Sequence, residues 1–119
     1  MFDQYSDEIS AYLQELAAAY IGKIYSYRVF CNIALQYILL EVHLPEPYNP
    51  FGAAPVRIIV WFIDDSVEVS ITTPNSEDRF PVGSMEELGA ALESWMPQVR
   101  ADLDDLLARW QAGEEGAED

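Results

Sequence analysis

The chain has 119 residues, of which 50% are hydrophobic and 13% aromatic, a composition typical of one globular domain. It carries 21 Asp and Glu residues against 6 Lys and Arg, for a formal net charge of −15. Charge of this sign repels nucleic acid and anionic membranes, and it attracts basic protein surfaces. We therefore expect neither direct nucleic-acid binding nor membrane binding, and we expect a basic protein partner.

The sequence contains no segment that predicts export or membrane insertion. Its first residues are acidic where a signal peptide needs a basic region. The longest apolar region, Val29 to Leu44, is interrupted by polar residues and is too short to span a bilayer. Cys31 has no second cysteine to pair with, and its apolar surroundings predict a buried small side chain. We expect a cytoplasmic protein.

Residues 6–22 are predicted to form a helix. Ser6 is a suitable N-cap, and Gly22 followed by Lys23 is a typical helix end. Apolar residues recur between them at helical spacing, at Ile9, Tyr12, Leu13, Leu16 and Tyr20.

The next part of the chain, from Ile24 to Leu44, fits a period of two and a period of 3.6 about equally well. Its aromatic and β-branched content favours two strands, at about residues 25–31 and 35–44, with a reversal at Asn32. A second buried helix is the alternative. Residues 45–55 contain four prolines, which predicts a loop.

Two further strands are predicted around the acidic dipeptide Asp64-Asp65. Val56 to Ile63 is an apolar run of strand length, and residues 67–72 alternate between apolar and polar. Asp64, Asp65 and Ser66 between these segments are typical of a hairpin turn. Residues 74–83 are interpreted as a second loop.

The C-terminal region is predicted to be helical. Ser84 and Glu87 have the spacing of a capping box, and Pro97 either kinks one long helix or begins a second. Arg109 and Gly113 predict the end of the helix, and residues 114–119 are expected to be a disordered acidic tail. The apolar stripes consist of Met85, Leu88, Leu92, Trp95 and Met96, and then of Val99, Leu103, Leu106, Leu107 and Trp110.

These elements predict an α+β fold for residues 1–113. It has an N-terminal helix, an antiparallel sheet of three to four strands, and a C-terminal kinked helix or helix pair packed on one face of the sheet. The tryptophans Trp61, Trp95 and Trp110 are expected in the core.

No motif in the sequence predicts catalysis. His43 is the only histidine and lies at a predicted strand end, where a structural role is expected. The chain has no nucleophile elbow, P-loop or dinucleotide-binding fingerprint. Asp102, Asp104 and Asp105 are expected on the solvent side of the last helix. We therefore predict no catalytic residue, no cofactor and no metal site.

The acidic surface leads to the main functional hypothesis, a small inhibitor of a basic nucleic-acid-binding protein or nuclease complex. Duplex DNA carries one negative charge per ~1.7 Å of axis, and carboxylates on rigid helices can approach that density. Phage inhibitors of CRISPR systems and immunity proteins against nuclease toxins are analogies by charge and size alone. The candidate partner-binding residues are Asp64, Asp65, Glu68, Glu77, Asp78, Glu86, Glu87, Glu93, Asp102, Asp104 and Asp105, with Tyr48 and Phe51 as aromatic anchors.

Two other hypotheses remain open at this point. The surplus of apolar residues is compatible with a homodimeric acidic chaperone or adaptor that holds a partner segment on an apolar groove. An acid-lined enzyme is the third hypothesis, because distant carboxylates can meet in space.

Overall fold

The computed structural model describes residues 2–46, 48 and 54–116. Five strands lie between two helices in this part of the chain, and they form one antiparallel sheet in the order β1-β2-β3-β4-β5. The predicted α+β class is confirmed, with five strands in place of three to four. The elements are α1 (Phe2–Tyr20), β1 (Ser26–Asn32), β2 (Tyr37–His43), β3 (Val56–Ile63), β4 (Ser66–Thr72), β5 (Glu77–Val82) and α2 (Met85–Gly116).

One face of the sheet forms the core with both helices. Along β2 and β3 every second residue is buried, as expected when alternate side chains point to opposite faces. Ile38, Leu40 and Val42 of β2 face the core with Ile58 and Val60 of β3. The helices contribute a second apolar layer, whose fully buried members include Ile9, Leu13, Leu88, Leu92, Met96 and Leu103.

The hairpins confirm the predicted pair of strands between Ile24 and Leu44, so the alternative of a second helix is wrong. Residues 33–36 form the β1–β2 turn, in which the Leu35 backbone N–H donates to Asn32 Oδ1 at 2.9 Å. Asp64 and Asp65 form the β3–β4 turn, as predicted. Asp64 has a φ of 53°, in the left-handed region that aspartate tolerates better than most residues.

The prediction of a loop at residues 74–83 is wrong, because Glu77–Val82 is the fifth strand. Its polar residues and its proline obscured the strand pattern. They are tolerated because β5 is an edge strand, where a proline need not donate to a neighbouring strand. Phe80 and Val82 pack against the core from this strand.

The helix α2 continues through Pro97 and past Arg109 and Gly113 to Gly116. The predictions of a second helix after Pro97 and of a helix end near Gly113 are therefore wrong. Residues 114–116 of the predicted disordered tail are helical, and residues 117–119 lie outside the described residues.

Three side chains predicted to be buried lie elsewhere. Trp110 is 49% exposed, and it lies in a segment of α2, residues 108–113, in which every residue is exposed. Cys31 is exposed on the edge strand β1. Trp61 is half-buried, and its register places it on the face of the sheet that points away from the helices.

Candidate functional site

The two helices lie side by side and run in the same direction. The Tyr12 hydroxyl donates to the Gly89 carbonyl at 3.0 Å, and Arg100 Nη1 donates to the Tyr20 carbonyl at 2.7 Å. Gly89 permits the close approach of the helices, since a Cβ atom there would lie 3.3 Å from the Tyr12 oxygen. Two long-range hydrogen bonds therefore fix α1 against α2.

A groove of about 670 Å³ runs between the helices on their outer surface. Its uncharged lining residues are Ala11, Tyr12, Met85, Gly89 and Ala90, and none of the described residues that line it is a lysine or arginine. We call it the acidic groove. The carboxylates that line it are Glu8 and Glu15 of α1 and Glu86 and Glu93 of α2.

The spacing of these glutamates follows directly from helix geometry. Glu8 and Glu15 are seven residues apart, as are Glu86 and Glu93, so each pair lies on one helix face. With a rise of ~1.5 Å per residue, each pair spans about 10.5 Å. Because the helices are parallel, four carboxylates lie within that length, where duplex DNA carries about six phosphate charges.

The electrostatics of Tyr12 show that carboxylates from both helices act on the floor of the groove. Burial raises the pKa of the Tyr12 hydroxyl, and the charges of Glu93, Tyr20 and Glu15 raise it further. Each of these effects disfavours another negative charge in the groove. The carboxylates around Tyr12 therefore make the potential in the groove negative.

The start of α2 is fixed by the predicted capping box. The Glu87 backbone N–H donates to Ser84 Oγ at 3.1 Å, and the Glu87 carboxylate accepts a hydrogen bond from the Gly83 backbone N–H. Glu87, a predicted partner-binding residue, is therefore engaged in capping, while Glu86 beside it lines the groove.

Asp104 and Asp105, in the second half of α2, already have partners. Asp104 accepts from Arg100 Nε at 2.9 Å and from the Tyr25 hydroxyl at 2.7 Å. Burial raises the pKa of Tyr25, and the hydrogen bond to Asp104 adds to the increase. Asp105 pairs with Arg109 at 2.8 Å. These two carboxylates are exposed, as expected, but their charges are compensated locally.

The prediction that Asp102 faces solvent is wrong, because this residue is only 3% exposed. Thr73 Oγ1 donates to Asp102 Oδ2 at 2.5 Å, and Gln98 Nε2 donates to Asp102 Oδ1 at 2.7 Å. Burial alone would raise the pKa of Asp102, but the hydrogen bonds from Thr73, Gln98, Asn75 and Ser76 together lower it. Asp102 therefore fastens the β4–β5 turn to α2 and is not available to a partner.

The acids on the strands and turns do not join the acidic groove. Asp64 is exposed, and Asp65 lies beside the start of α2 at a pocket of about 330 Å³ that it shares with Ser84. Glu68 pairs with Arg79 at 2.6 Å. Exposed Glu77 and Asp78 are consecutive residues of β5, so their side chains point to opposite faces of the sheet.

Of the two predicted aromatic anchors, Tyr48 and Phe51, the structure describes only Tyr48. Tyr48 is half-buried and packs against the core, with its backbone N–H donating to the Pro45 carbonyl at 2.9 Å. Phe51 lies outside the described residues.

A second surface is apolar and lies on the sheet face opposite the helices, which we call the open face. Register places Phe30, Leu39 and Ile59 in one row across β1, β2 and β3. Tyr37 and Trp61 form the next row, with ring centroids 4.8 Å apart. Phe30 is 48% exposed. Sequence analysis missed this surface because β2 and β3 are apolar on both faces.

The described residues contain no group of three His, Cys, Asp or Glu side chains arranged to hold a metal ion. His43 Nε2 lies 3.3 Å from Glu41 Oε2, and its side chain is mostly buried. No helix in this part of the chain combines the length and apolarity needed to cross a bilayer.

Comparison with known proteins gives no family. No family model, curated protein or solved structure matches the chain.

Proposed function

We propose that this protein acts in the cytoplasm by binding a basic surface of another protein in the acidic groove. The observation that carries the proposal is the convergence of four glutamates on one groove in which no described lysine or arginine is a lining residue. These glutamates are Glu8, Glu15, Glu86 and Glu93. Lysine and arginine side chains of a partner would supply the positive charge that the groove lacks.

The expected consequence for the partner is loss of nucleic-acid binding. A basic groove that holds a phosphate backbone presents the lysine and arginine side chains that the acidic groove attracts. Because the carboxylates are carried on two packed helices, binding would have to order only the glutamate side chains and not the backbone. The protein would therefore inhibit a nucleic-acid-binding protein or nuclease by competition, without a catalytic step.

The test compares two variants with the same change in net charge. The groove variant carries Glu8→Gln, Glu15→Gln, Glu86→Gln and Glu93→Gln. The matched control carries four exposed acids changed elsewhere, namely Glu46→Gln, Asp64→Asn, Asp65→Asn and Asp78→Asn. The readout is the fluorescence anisotropy of a labelled lysine homopeptide.

The groove variant should bind the peptide at least about tenfold more weakly than the wild type, and the control variant within about threefold of it. Wild-type affinity should fall steeply between about 50 and 200 mM salt, because exposed charges are screened. Equal losses in the two variants would show that net charge alone attracts the peptide, and would contradict a role for the groove.

A further inference from the structure

The open face differs from the rest of the molecule in charge as well as in apolarity. Its strand positions contain three arginines and three glutamates, so the net charge of −15 is carried by the remainder of the chain. The six residues are Arg28, Arg57 and Arg79, with Glu41, Glu68 and Glu77.

Two of these charges are left without an ion pair among the described residues. Arg28 lies 3.5 Å from Glu41, and Arg79 lies 2.6 Å from Glu68. Arg57 and Glu77, by contrast, are exposed and form no ion pair within the described part of the chain. Arg57 of β3 and Glu77 of β5 are both opposite Thr72 of β4, which lies between them. The face therefore offers one cation and one anion to a partner.

The centre of the face is apolar. No described residue covers Phe30 or Ile63, which are 48% and 40% exposed. These two residues lie at the edges of an apolar patch on the open face. The patch consists of Phe30, Tyr37, Leu39, Ile59, Trp61 and Ile63.

We propose that a second copy of this chain covers the open face in a two-fold symmetric dimer with the sheets packed face to face. A two-fold interface joins the same patch on both copies, so the patch must be complementary to itself. An apolar patch meets this condition, because it can pack against the same patch of the other copy. The unpaired charges meet it as well, because Arg57 of each copy can approach Glu77 of the other. Packed sheets of this kind lie ~10 Å apart.

Electrostatics favours a second copy at this face over any other. Each copy has a net charge of −15, so contact through the helical layer would place acidic grooves against each other. Contact through the open face puts the two grooves on opposite sides of the dimer. The shortest dimension of one copy is 22 Å, well beyond the Debye length of ~8 Å at physiological ionic strength. A strongly basic or acidic partner would instead leave charges on this neutral face unmatched.

The test is sedimentation velocity of the full chain at physiological salt, over protein concentrations up to the millimolar range. The wild type should change from a species of 13.5 kDa to one of twice that mass. Phe30→Asp should weaken the dimer by at least about tenfold, because it places a charge in the apolar patch. The matched control is Ile24→Asp, since Ile24 is 46% exposed but lies outside the open face, and it should leave the dimer unchanged.

A second pair of variants keeps the test valid if Phe30→Asp fails to fold. Arg57→Glu reverses the unpaired cation of the open face and should weaken the dimer, whereas Arg109→Glu, near the end of α2, should not. Circular dichroism checks folding. A wild type that stays at 13.5 kDa throughout, or a dimer that both open-face variants leave intact, would overturn the proposal.

Discussion

Replacing Leu40 by alanine is expected to lower the free energy of unfolding by about 3 kcal/mol. Leu40 is fully buried in β2, where it is in register with Val29 of β1 and Ile58 of β3 and faces the helices. The truncation removes apolar surface from the centre of the core and leaves a cavity that the strand ladders on both sides prevent from collapsing.

Urea unfolding followed by circular dichroism measures this change. The control is Leu35→Ala in the β1–β2 turn, where the side chain is 64% exposed, and its effect should stay below about 0.5 kcal/mol. Similar losses for Leu40→Ala and Leu35→Ala would mean that the helices do not pack on this face of the sheet.

Replacing Asp102 by alanine is expected to cost about 2 kcal/mol, even though the chain has 21 acidic residues and a large excess of negative charge. Removing most acids from such a chain should relieve repulsion, but Asp102 accepts hydrogen bonds from Thr73 and Gln98 in a buried position. Its loss leaves the Thr73 hydroxyl, itself 6% exposed, without its acceptor on α2.

The effect of Asp102 should depend on pH in a defined direction. Its pKa in the folded state lies below the ordinary value of 3.8, so the folded protein holds the carboxylate ionised more readily than the unfolded chain does. The resulting stability is complete above that ordinary value and is lost as the pH falls through the lower folded pKa. The difference in unfolding free energy between wild type and Asp102→Ala should therefore shrink below pH ~4.

Two controls isolate this effect from the other carboxylates. Asp105→Ala removes an exposed acid that follows Asp102 by three residues in α2, and it should change stability by less than about 0.5 kcal/mol. Asp102→Asn keeps the shape and one acceptor oxygen and should fall between wild type and alanine. A difference between wild type and Asp102→Ala that is constant down to pH ~2 would contradict the proposed hydrogen-bonded carboxylate.

Much of the fold follows from local pattern. Periodicity and turn residues predict α1 and the strands β1 to β4, and the capping box predicts the start of α2. The prediction of Ser6 as the N-cap of α1 is wrong, because this helix begins at Phe2 and continues through Ser6. The fifth strand lacks a local signature, since an edge strand tolerates Pro81 and charged residues. The continuation of α2 through Pro97 is also a tertiary effect, because Met96 and Val99 on either side of the proline are fully buried against the core.

The sequence predicts only two of the four glutamates of the candidate site. Glu86 and Glu93 are predicted from their place on an acidic helix. Glu8 and Glu15 are not, because no local pattern indicates that α1 lies parallel to α2. Helical periodicity of apolar residues also failed to place Asp102, since its burial depends on Thr73 in a turn 29 residues away. In both cases the decisive contact is distant in sequence.

Competition for a basic ligand tests the central claim most directly. A labelled DNA duplex is first bound to a lysine homopeptide, and the protein is then added while the release of DNA is followed by anisotropy. Wild type and the four-site control variant should release the DNA at similar concentrations, and the groove variant should need at least about tenfold more protein. Equal release by all three proteins would contradict the claim that Glu8, Glu15, Glu86 and Glu93 form a binding site for basic protein surfaces.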